Sequence, residues 1–331
     1  MTGNSKKFVV TGATGFVGSS LVKALVEAGG DVYALARPSS TPDRLSNTSV
    51  TWMVADVTKP ETLRGLFKGI DYIIHAAGML GQAGIEEKEY ITLHVDGTRH
   101  VLDEVAATDP PPKVLYVSSP GVLGPIKGPP ANENTPLAPS NPYERSKAVA
   151  EQLVGVYGAA GLPVIIARPE FIYGPGDTHV LGLFQTINQG RFFYIGDGRN
   201  TCHPTFISDA VDGMLRCLER GKPGEIYHIT GPRPVTFREL ATAIAQTLEV
   251  PPPRLQIPRI VALAGASAFE LLGKATRKRP LLSRTGVAFF SEDRRFSWEK
   301  AAHDLNYQPQ HDLETGILET VNWYRQNGYL E

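Results

Sequence analysis

Short apolar runs alternate with amphipathic segments over the first half of the chain. One amphipathic segment repeats apolar residues at helical spacing from Val17 to Val26 and stops at Gly29-Gly30, which is typical of a helix C-terminus. Apolar runs without polar alternation are typical of strands that are buried on both faces of a parallel sheet. These runs are Phe8–Val10, Val32–Leu35, Val50–Val54, Tyr72–Ile74, Val114–Val117 and Val164–Ala167. The alternation predicts an α/β fold with a doubly wound parallel sheet and helices on both faces.

The regular alternation of apolar runs and amphipathic segments ends at about Arg168. Short strands are predicted at Thr205–Ile207 and Glu225–Ile229, and the capping-box pattern Thr236–Glu239 predicts a helix over Leu240–Leu248. We therefore expect the second half to form a smaller, mostly helical lobe over the carboxyl ends of the strands.

The chain divides accordingly into two predicted domains. Residues 1–168 form the sheet domain, to which the segment at about 201–231 returns, and residues 169–331 form the substrate-binding lobe. Within the lobe, Ile260–Leu272 predicts an apolar helix, which either borders an apolar cleft or completes the core of the lobe. Its uncharged part, Ile260–Phe269, is too short to span a bilayer.

Charge and cysteine content indicate which binding partners and which cellular compartment to expect. The chain has 33 Lys plus Arg and 34 Asp plus Glu, so bulk electrostatics favours neither nucleic acid nor an anionic membrane. Cys202 and Cys217 cannot form a disulfide framework, and no apolar signal-peptide core precedes Phe8. We expect a cytoplasmic protein with a small-molecule substrate, no nucleic acid, no transmembrane segment and no metal. Peripheral contact with a membrane is left open.

A glycine-rich turn lies between the first predicted strand and the first predicted helix. Within Thr11–Gly18, Gly12 can make the tight turn, Gly15 allows close approach of a pyrophosphate, and Gly18 allows the helix to pack on the strand. The N–H groups and the dipole of the helix N-terminus favour bound phosphate. The pattern predicts dinucleotide binding, and the alternative is a structural turn. The predicted contacts are Gly12, Thr14, Gly15, Phe16 and Val17.

The ends of the next strands bear on the choice of cofactor. NAD-binding proteins usually have an acid at the end of the second strand, but this chain has Arg37, followed by Ser39 and Ser40. Arg37 with either serine can hold a 2′-phosphate, so NADP is favoured over NAD; the alternative is a solvated loop arginine. Further NAD(P) contacts are predicted from Asp56, Val57, Ala76, Ala77 and Gly78.

Tyr143 and Lys147 are the candidate acid–base pair. Asn141 can cap the helix that they share, Pro142 suits its first position, and Glu144 can complete a capping box. A spacing of four residues places Tyr143 and Lys147 on one helix face; the alternative is an exposed pair without chemistry. We expect the ammonium to lower the pKa of the phenol and to hold the ribose of a nicotinamide cofactor. Tyr143 can then exchange a proton with a substrate oxygen.

Ser118 and Ser119 end the fifth predicted strand. Open parallel sheets place ligand-contacting residues at this edge, so a serine hydroxyl here can bond the reacting oxygen and orient it. The order of glycine turn, serine pair and Tyr/Lys pair favours catalysis over a chance combination.

Together these motifs resemble the extended short-chain dehydrogenase/reductase family, of the NAD-dependent epimerase/dehydratase type, over nearly the whole chain. The matching segments are Thr11–Gly18, Asp56–Val57, His75–Gly78, Val117–Ser119, Tyr143 with Lys147, and Arg168–Pro175. The resemblance implies a Rossmann-type sheet, a homodimer, and Ser119 as the catalytic hydroxyl. It also implies cofactor contacts from Tyr143, Lys147, Arg168, Pro169 and Phe171, and substrate contacts from Met79, Ser119, Pro120, Gly121, Tyr143 and Glu170.

The second half is similar to the 3β-hydroxysteroid dehydrogenase and sterol-4-carboxylate dehydrogenase branch of that family. The matching stretches are Ile257–Ala264, Phe269–Leu272, Arg279–Ser283, Phe296–Ala301, Leu305–Tyr307 and Trp323–Tyr324. An uncharged helix beside the cleft suits an apolar substrate better than a sugar diphosphate.

Three departures from the family pattern bear on the substrate. Pro120-Gly121 stands where dehydratases of the family have an acid pair, so dehydration is not expected. Cys202 stands where nucleotide-sugar enzymes have a diphosphate-binding arginine, although Arg191 or Arg199 could compensate. His94 replaces a usual asparagine, which either removes a polar substrate contact or serves packing.

We therefore expect an oxidoreductase that interconverts a secondary alcohol and a ketone on a largely apolar, sterol-like substrate. Tyr143 is the expected general acid/base, Lys147 tunes it and binds ribose, and Ser119 orients the oxygen. Two alternatives stay open: a nucleotide-sugar 4-epimerase with tightly bound NAD, and a non-catalytic dinucleotide-binding regulator.

Overall fold

A seven-stranded parallel sheet organises the chain. The computed structural model describes residues 5–276 and 282–331, so the Arg279–Leu281 part of one matching stretch lies outside the described residues. The strands lie in the order β3-β2-β1-β4-β5-β6-β11, and every neighbouring pair is parallel. They are β1 (Lys7–Thr11), β2 (Asp31–Ala36), β3 (Thr51–Val54), β4 (Tyr72–His75), β5 (Lys113–Val117), β6 (Val164–Pro169) and β11 (Ile226–Ile229).

Helices cover both faces of this sheet and build the lobe. They are α1 (Phe16–Glu27), α2 (Glu87–Tyr90), α3 (Gly97–Ala106), α4 (Pro142–Ala159), α5 (Leu181–Asn188), α6 (Ile207–Arg220), α7 (Phe237–Thr247), α8 (Arg259–Thr276), α9 (Arg284–Phe289), α10 (Glu299–Leu305) and α11 (Leu313–Gln326). A π-helical turn, Ile91–Asp96, joins α2 to α3. The remaining strands are two-residue pairs: β7 (Ile172–Tyr173), β8 (Tyr194–Ile195), β9 (Thr201–Cys202), β10 (Thr205–Phe206), β12 (Val235–Thr236) and β13 (Gln256–Ile257).

The apolar runs form the central strands because both faces of the sheet are buried. Val10 and Leu115 pack on one face with residues of α1 and α6, while their chain neighbours Val9 and Val114 pack on the other face with residues of α3 and α4. Successive strand residues point to opposite faces, so a strand covered on both sides must be apolar throughout. The predicted Rossmann-type α/β class is confirmed, and all six expected strands are present.

Local sequence signals set several element ends. α1 ends at Glu27, and Gly29 follows with φ +81°, a conformation that glycine adopts without strain. At the start of α7, the Thr236 side chain accepts from Glu239 N–H, as the capping pattern predicted. β10 stops at Phe206, one residue before the predicted end, because Ile207 already begins α6. The division into two domains stays a prediction.

The apolar stretch Ile260–Leu272 lies within α8 and only partly contributes to a core. The small residues Ala262 and Ala266 are buried against α9, whereas Ile260 and Leu271 are 77% and 69% exposed. This helix is thus apolar on a solvent-facing side as well as on its packed side. No helix in the described part of the chain is both long enough and apolar enough to cross a bilayer.

Gly18 allows a test of the helix–strand packing at the first turn. A Cβ at this position would overlap the carbonyl oxygen of Gly12, so we expect Gly18→Ala to lower the free energy of unfolding by about 2 kcal/mol or more. Urea unfolding monitored by circular dichroism measures this loss. As a control, Gly155→Ala in α4 meets no atom within 4 Å and should stabilise by up to about 1 kcal/mol. Equal effects of the two substitutions would contradict the packing argument.

Candidate active site

The predicted site residues meet at the carboxyl edge of the sheet. The glycine turn follows β1, Ala76–Gly78 follow β4, Ser119 follows β5, and Glu170 follows β6. Ligands of open parallel sheets bind at this edge, and α4 adds Tyr143 to it from the side.

The glycine turn has the geometry that phosphate binding requires. Gly12 has φ +67°, and a Cβ there would lie 2.6 Å from the carbonyl oxygen of Ala76. Gly15 is the N-cap of α1 and is exposed, and it has no side chain that could accept a hydrogen bond. The first backbone N–H groups of α1 are therefore not capped by a side chain. A pyrophosphate fits this arrangement, with Thr14, Phe16 and Val17 beside it.

Arg37, which follows β2, lies close to Asp56, which follows β3. The Arg37 side chain is exposed, and Ser40 N–H donates to the Arg37 carbonyl in a turn. Burial acts to raise the pKa of Asp56, but hydrogen bonds from Thr58 and the charge of Arg37 outweigh it, so the pKa is lowered. Asp56 is therefore ionised close to Arg37. Val57, its neighbour, is buried.

Arg44 is a residue that the sequence reasoning missed. Its guanidinium lies over the Phe16 ring, 6.0 Å from the centroid, and donates to the carbonyl of Gly176. It therefore lies at the glycine turn and connects it to the segment after β7. No motif pointed to it, because a lone arginine in a loop is most often a solvated residue.

Two neutral histidines hold the loop after β4. His75 Nδ1 accepts from the Thr11 hydroxyl at 2.7 Å, and its Nε2 donates to Thr98 at 3.0 Å; this tautomer follows because Thr98 donates to the His94 carbonyl. Thr11 in turn accepts from Ala77 N–H. Burial lowers the pKa of His75 to about 3, so the ring stays neutral.

His94 has a positioning role. Its Nε2 accepts from Met79 N–H at 3.1 Å, and its Nδ1 donates to Ser146, whose hydroxyl donates to the Tyr143 carbonyl. The ring also makes an edge contact with the Tyr143 ring, with centroids 5.7 Å apart. Burial and the charge of Lys147 lower the pKa of His94 to about 2. The packing alternative from the sequence thus describes His94 better than a lost substrate contact.

The start of α4 has the predicted cap with one difference. Asn141 accepts from Glu144 N–H at 3.0 Å, and Pro142 is the first helical residue. The Glu144 carboxylate does not complete a capping box with Asn141; it accepts from Ser140 N–H and Ser140 Oγ at 2.7 Å each. The cap fixes the first turn, which carries Tyr143.

Lys147 is buried and directed to the sheet. Its ammonium donates to the Val117 carbonyl at 2.8 Å and lies 5.0 Å from the centre of the Tyr116 ring. A Cβ on Gly78 would lie 3.6 Å from the same nitrogen, so the loop after β4 passes directly over it. Burial lowers the pKa of Lys147 to about 8, against the charge of Glu151.

The pKa of Tyr143 differs from the expected direction. Burial raises it to about 12 and outweighs the lowering effect of Ser119. The Lys147 ammonium is bonded to the Val117 carbonyl. The expectation of a lowered pKa for the phenol is therefore wrong, because burial dominates it.

The two neighbouring serines differ in their exposure and in their hydrogen-bond partners. Ser118 is buried and donates to Glu151 at 2.7 Å, whereas Ser119 is partly exposed, accepts from Gly121 N–H and interacts with the Tyr143 phenol. The geometry thus favours Ser119 as the reactive hydroxyl.

The Arg168 side chain is buried at the end of β6. Its guanidinium is 2% exposed, forms an ion pair with Glu151 and contacts His228 at 3.3 Å. It connects β6 to α4, so the guanidinium is committed to partners inside the protein. Pro169 is also buried, whereas Phe171 is partly exposed and has φ +35°, an unusual value for a bulky residue.

Three charged side chains form a buried cluster that the sequence did not reveal. Glu144, Glu170 and Arg294 are 2%, 4% and 6% exposed. Glu170 was expected to contact substrate, but Glu144 was expected only in a cap, and Arg294 lies outside every motif. Pro120 and Gly121 are buried, and a Cβ on Gly121 would lie 3.3 Å from Arg294 Nη1, while Met79 is partly exposed.

The buried pair of Arg168 with Glu151 makes a stability prediction. Glu151→Gln leaves a buried guanidinium without its counter-charge, so we expect a loss of about 3–5 kcal/mol in the free energy of unfolding. The control is Glu87→Gln, which breaks the exposed pair between Glu87 of α2 and Arg145 of α4 and should leave the urea midpoint unchanged. Similar midpoints for both variants would show that Arg168 does not anchor α4.

Comparison with known proteins shows the family of the chain. Residues 8–230 match the model of the NAD dependent epimerase/dehydratase family. The chain is 31% identical to a 4-hydroxy-2-methyl-3-oxo-4-farnesyl-3,4-dihydroquinoline-1-oxide ketoreductase of Stigmatella aurantiaca, over 93% of each chain. It is 26% identical to the decarboxylating sterol-4-alpha-carboxylate 3-dehydrogenase of Dictyostelium discoideum, over 95% of this chain and 99% of that one.

A solved structure extends the similarity to three dimensions. The dTDP-glucose 4,6-dehydratase DesIV of Streptomyces venezuelae, solved with NAD bound, superposes with a TM-score of 0.81 at 25% identity and covers 98% of this chain and 99% of that chain. The predicted family and its sterol-dehydrogenase-like branch are both confirmed. The chain belongs to the NAD-dependent epimerase/dehydratase family of extended short-chain dehydrogenases/reductases, and it is an NAD(P)-dependent oxidoreductase.

Proposed function

We propose that the chain interconverts a secondary alcohol and a ketone on a largely apolar substrate of sterol-like size. The observation that carries this proposal is the meeting of Ser119, Tyr143 and Lys147 at the sheet edge next to the open glycine turn. In this arrangement Tyr143 is the general acid/base, Ser119 orients the reacting oxygen, and Lys147 holds the cofactor ribose.

The residues divide the reaction between them. Tyr143 donates its proton to the carbonyl oxygen during reduction and takes it back during oxidation, while the Ser119 hydroxyl holds the same oxygen in place. A pKa of about 12 keeps the phenol protonated at neutral pH, which is the form that reduction needs. A nicotinamide cofactor, when bound, supplies or accepts the hydride at the neighbouring carbon.

The charges around the site support an apolar substrate rather than a nucleotide-sugar. Burial raises the pKa of the Cys202 thiol well above its usual range, so this residue offers no charge to a diphosphate. Arg294 already bonds Glu144, and Arg199 lies in solvent beside Asp197. The names of the two curated relatives, which include a farnesyl group and a sterol, support the same substrate class.

The cofactor and the assembly are parts of this proposal. We infer NADP rather than NAD, because Arg37 is exposed next to Ser40 at the end of β2. The proposed cofactor contacts are Gly12, Thr14, Gly15, Phe16, Val17, Arg37, Ser40, Asp56, Val57, Ala76, Ala77, Gly78, Tyr143, Lys147 and Phe171. We also infer a homodimer, since Val149 and Val156 are 44% and 65% exposed on the outer side of α4.

A substrate screen tests the proposed function directly. Purified protein is mixed with NADPH, NADH or their oxidised forms and with hydroxysteroids, flavanonols, aryl alcohols or UDP-sugars. Turnover is followed by the absorbance of the reduced nicotinamide. Net cofactor turnover with an apolar alcohol or ketone supports the proposal. Stoichiometric NAD retained through purification, with turnover of UDP-sugars alone, would establish the epimerase alternative.

Tyr143→Phe removes the proposed proton donor and leaves the ring in place. We expect turnover to fall at least about a hundredfold, because positioned acid–base groups contribute that much or more, with the cofactor dissociation constant nearly unchanged. Steady-state kinetics and a fluorescence titration with NADPH measure the two quantities. Tyr157→Phe, a tyrosine further along α4 that bonds Asp103, is the matched control and should retain activity. Full activity of Tyr143→Phe would remove the catalytic assignment.

Arg37→Ala tests the choice of cofactor. Loss of a charge-assisted contact to a 2′-phosphate should weaken NADPH binding about tenfold or more, while NADH binding changes little. Dissociation constants of both cofactors are measured by fluorescence for wild type and variant. Arg64→Ala, an exposed arginine between β3 and β4, serves as the control. Equal losses of affinity for NADPH and NADH would show that Arg37 does not bind the 2′-phosphate.

A further inference from the structure

Side chains hold the backbone of the loop that follows β4. Among the described residues, no backbone group of residues 78–84 bonds to another backbone group. Instead, the hydroxyl of Tyr90 accepts from Gln82 N–H at 2.9 Å and donates to the Leu80 carbonyl at 3.1 Å. His94 adds a third bond, in which its Nε2 accepts from Met79 N–H at 3.1 Å. The conformation of this loop therefore depends on two side chains from outside it.

Tyr90 and His94 lie at an irregularity of their helix. Tyr90 ends α2, and His94 belongs to the π-helical turn that follows; such turns are rare and are frequent at functional sites. The two side chains are 2% and 1% exposed. Their rings contact each other at 5.7 Å between centroids, and both contact the ring of Tyr143, at 6.1 Å and 5.7 Å. One helix segment therefore holds the loop and also packs on the proposed proton donor.

The loop lies directly against the proposed reactive groups. A Cβ on Gly78 would lie 3.6 Å from Lys147 Nζ, and a Cβ on Gly81 would lie 3.4 Å from Tyr143 Cβ. The same Cβ on Gly81 would lie 3.7 Å from Cγ2 of Thr285, in the first turn of α9. The loop thus contacts both the catalytic helix α4 and the helical lobe.

Two apolar side chains of the loop are accessible next to these contacts. Leu80 is 46% exposed, and Met79 is partly exposed. A flexible loop must be ordered when a ligand binds to it, and this ordering lowers affinity, whereas a loop that is already fixed binds without that cost. Tyr90 bonds the carbonyl of Leu80 itself, so its hydroxyl fixes the backbone that carries this side chain.

We propose, on the basis of the proposed function, that Tyr90 is a positioning residue for substrate binding: its hydroxyl fixes the loop so that Met79 and Leu80 form a preformed apolar wall beside Tyr143. The apolar skeleton of the substrate packs on this wall while the reacting oxygen meets Ser119 and Tyr143. Because Tyr90 acts through the loop, its hydroxyl contributes to the affinity for substrate and not to proton transfer.

Amide hydrogen exchange in the protein without substrate or cofactor tests the bonds of Tyr90. In wild type, followed by nuclear magnetic resonance, the Gln82 amide should exchange more slowly than the Gly81 amide, from which no described residue accepts. Tyr90→Phe keeps the ring and removes the hydroxyl, so exchange at Gln82 should become about tenfold faster or more. Tyr157→Phe, which removes a hydroxyl that bonds Asp103, is the control and should leave this exchange unchanged.

Steady-state kinetics with the hydroxysteroids and flavanonols of the substrate screen measures the effect on binding. In Tyr90→Phe we expect KM to rise about tenfold and kcat to change less than about threefold, because the ring still packs on Tyr143. A merely structural role would reduce the amount of active enzyme, which lowers kcat and leaves KM unchanged. Leu80→Ala shortens the exposed side chain of the wall, so it should also raise KM while exchange at Gln82 stays slow.

The outcomes separate this inference from the proposed function. Exchange at Gln82 that is as fast as at Gly81 in wild type, or that is unchanged in Tyr90→Phe, overturns the role of Tyr90. Turnover of an apolar substrate with an unchanged KM in either variant overturns the wall, while the proposed function stands. Turnover of UDP-sugars alone overturns the proposed function and the wall together, even if Tyr90 is found to fix the loop. Leu80 is exposed, so Leu80→Ala tests the wall even if Tyr90→Phe fails to fold.

Discussion

The ion pair between Arg168 and Glu151 fixes the helix that carries the proposed reactive groups. Arg168 comes from the last residues of β6 and Glu151 from the middle of α4, and both are almost completely buried. The pair fixes α4 against the sheet, and Ser118 shares the same carboxylate. Tyr143 and Lys147 occupy the first turns of that helix, so their distance from the end of β5 is set by the core of the protein. A group placed by the core keeps its geometry better than one placed by a loop.

A second framework joins the glycine turn to the catalytic helix. Thr11 from β1 holds His75 from β4, and the chain of hydrogen bonds continues through Thr98 to the carbonyl of His94. His94 then binds the backbone at Met79 and, through Ser146, the first turn of α4. Because burial keeps both imidazoles neutral, this network does not change its charge as pH varies through the physiological range. The proposed cofactor half and the proposed catalytic half are therefore held by one set of bonds.

Sequence patterns could predict features that depend on neighbouring residues. The strands were visible because burial on both faces demands continuous apolar runs, and the helix cap at Asn141 depends on a residue three positions away. The role of Arg168 could not be predicted, because its counter-ion Glu151 belongs to a different element and carries no motif. Arg294 and Glu144 are 150 positions apart, so only the fold brings them together. The pKa of Tyr143 depends mainly on burial, which spacing along a helix does not reveal.

The backbone of Phe171 links the sheet edge to the helical lobe. A positive φ at a bulky residue stores about 1–3 kcal/mol of strain and persists only where surrounding structure enforces it. The Phe171 ring packs edge-on against the ring of Phe289 in α9, with centroids 5.3 Å apart, and Phe289 in turn packs against Phe237 of α7. Glu170 directly precedes this strained residue. The conformation of the chain directly after Glu170 therefore depends on aromatic packing from the helical lobe as well as on the sheet.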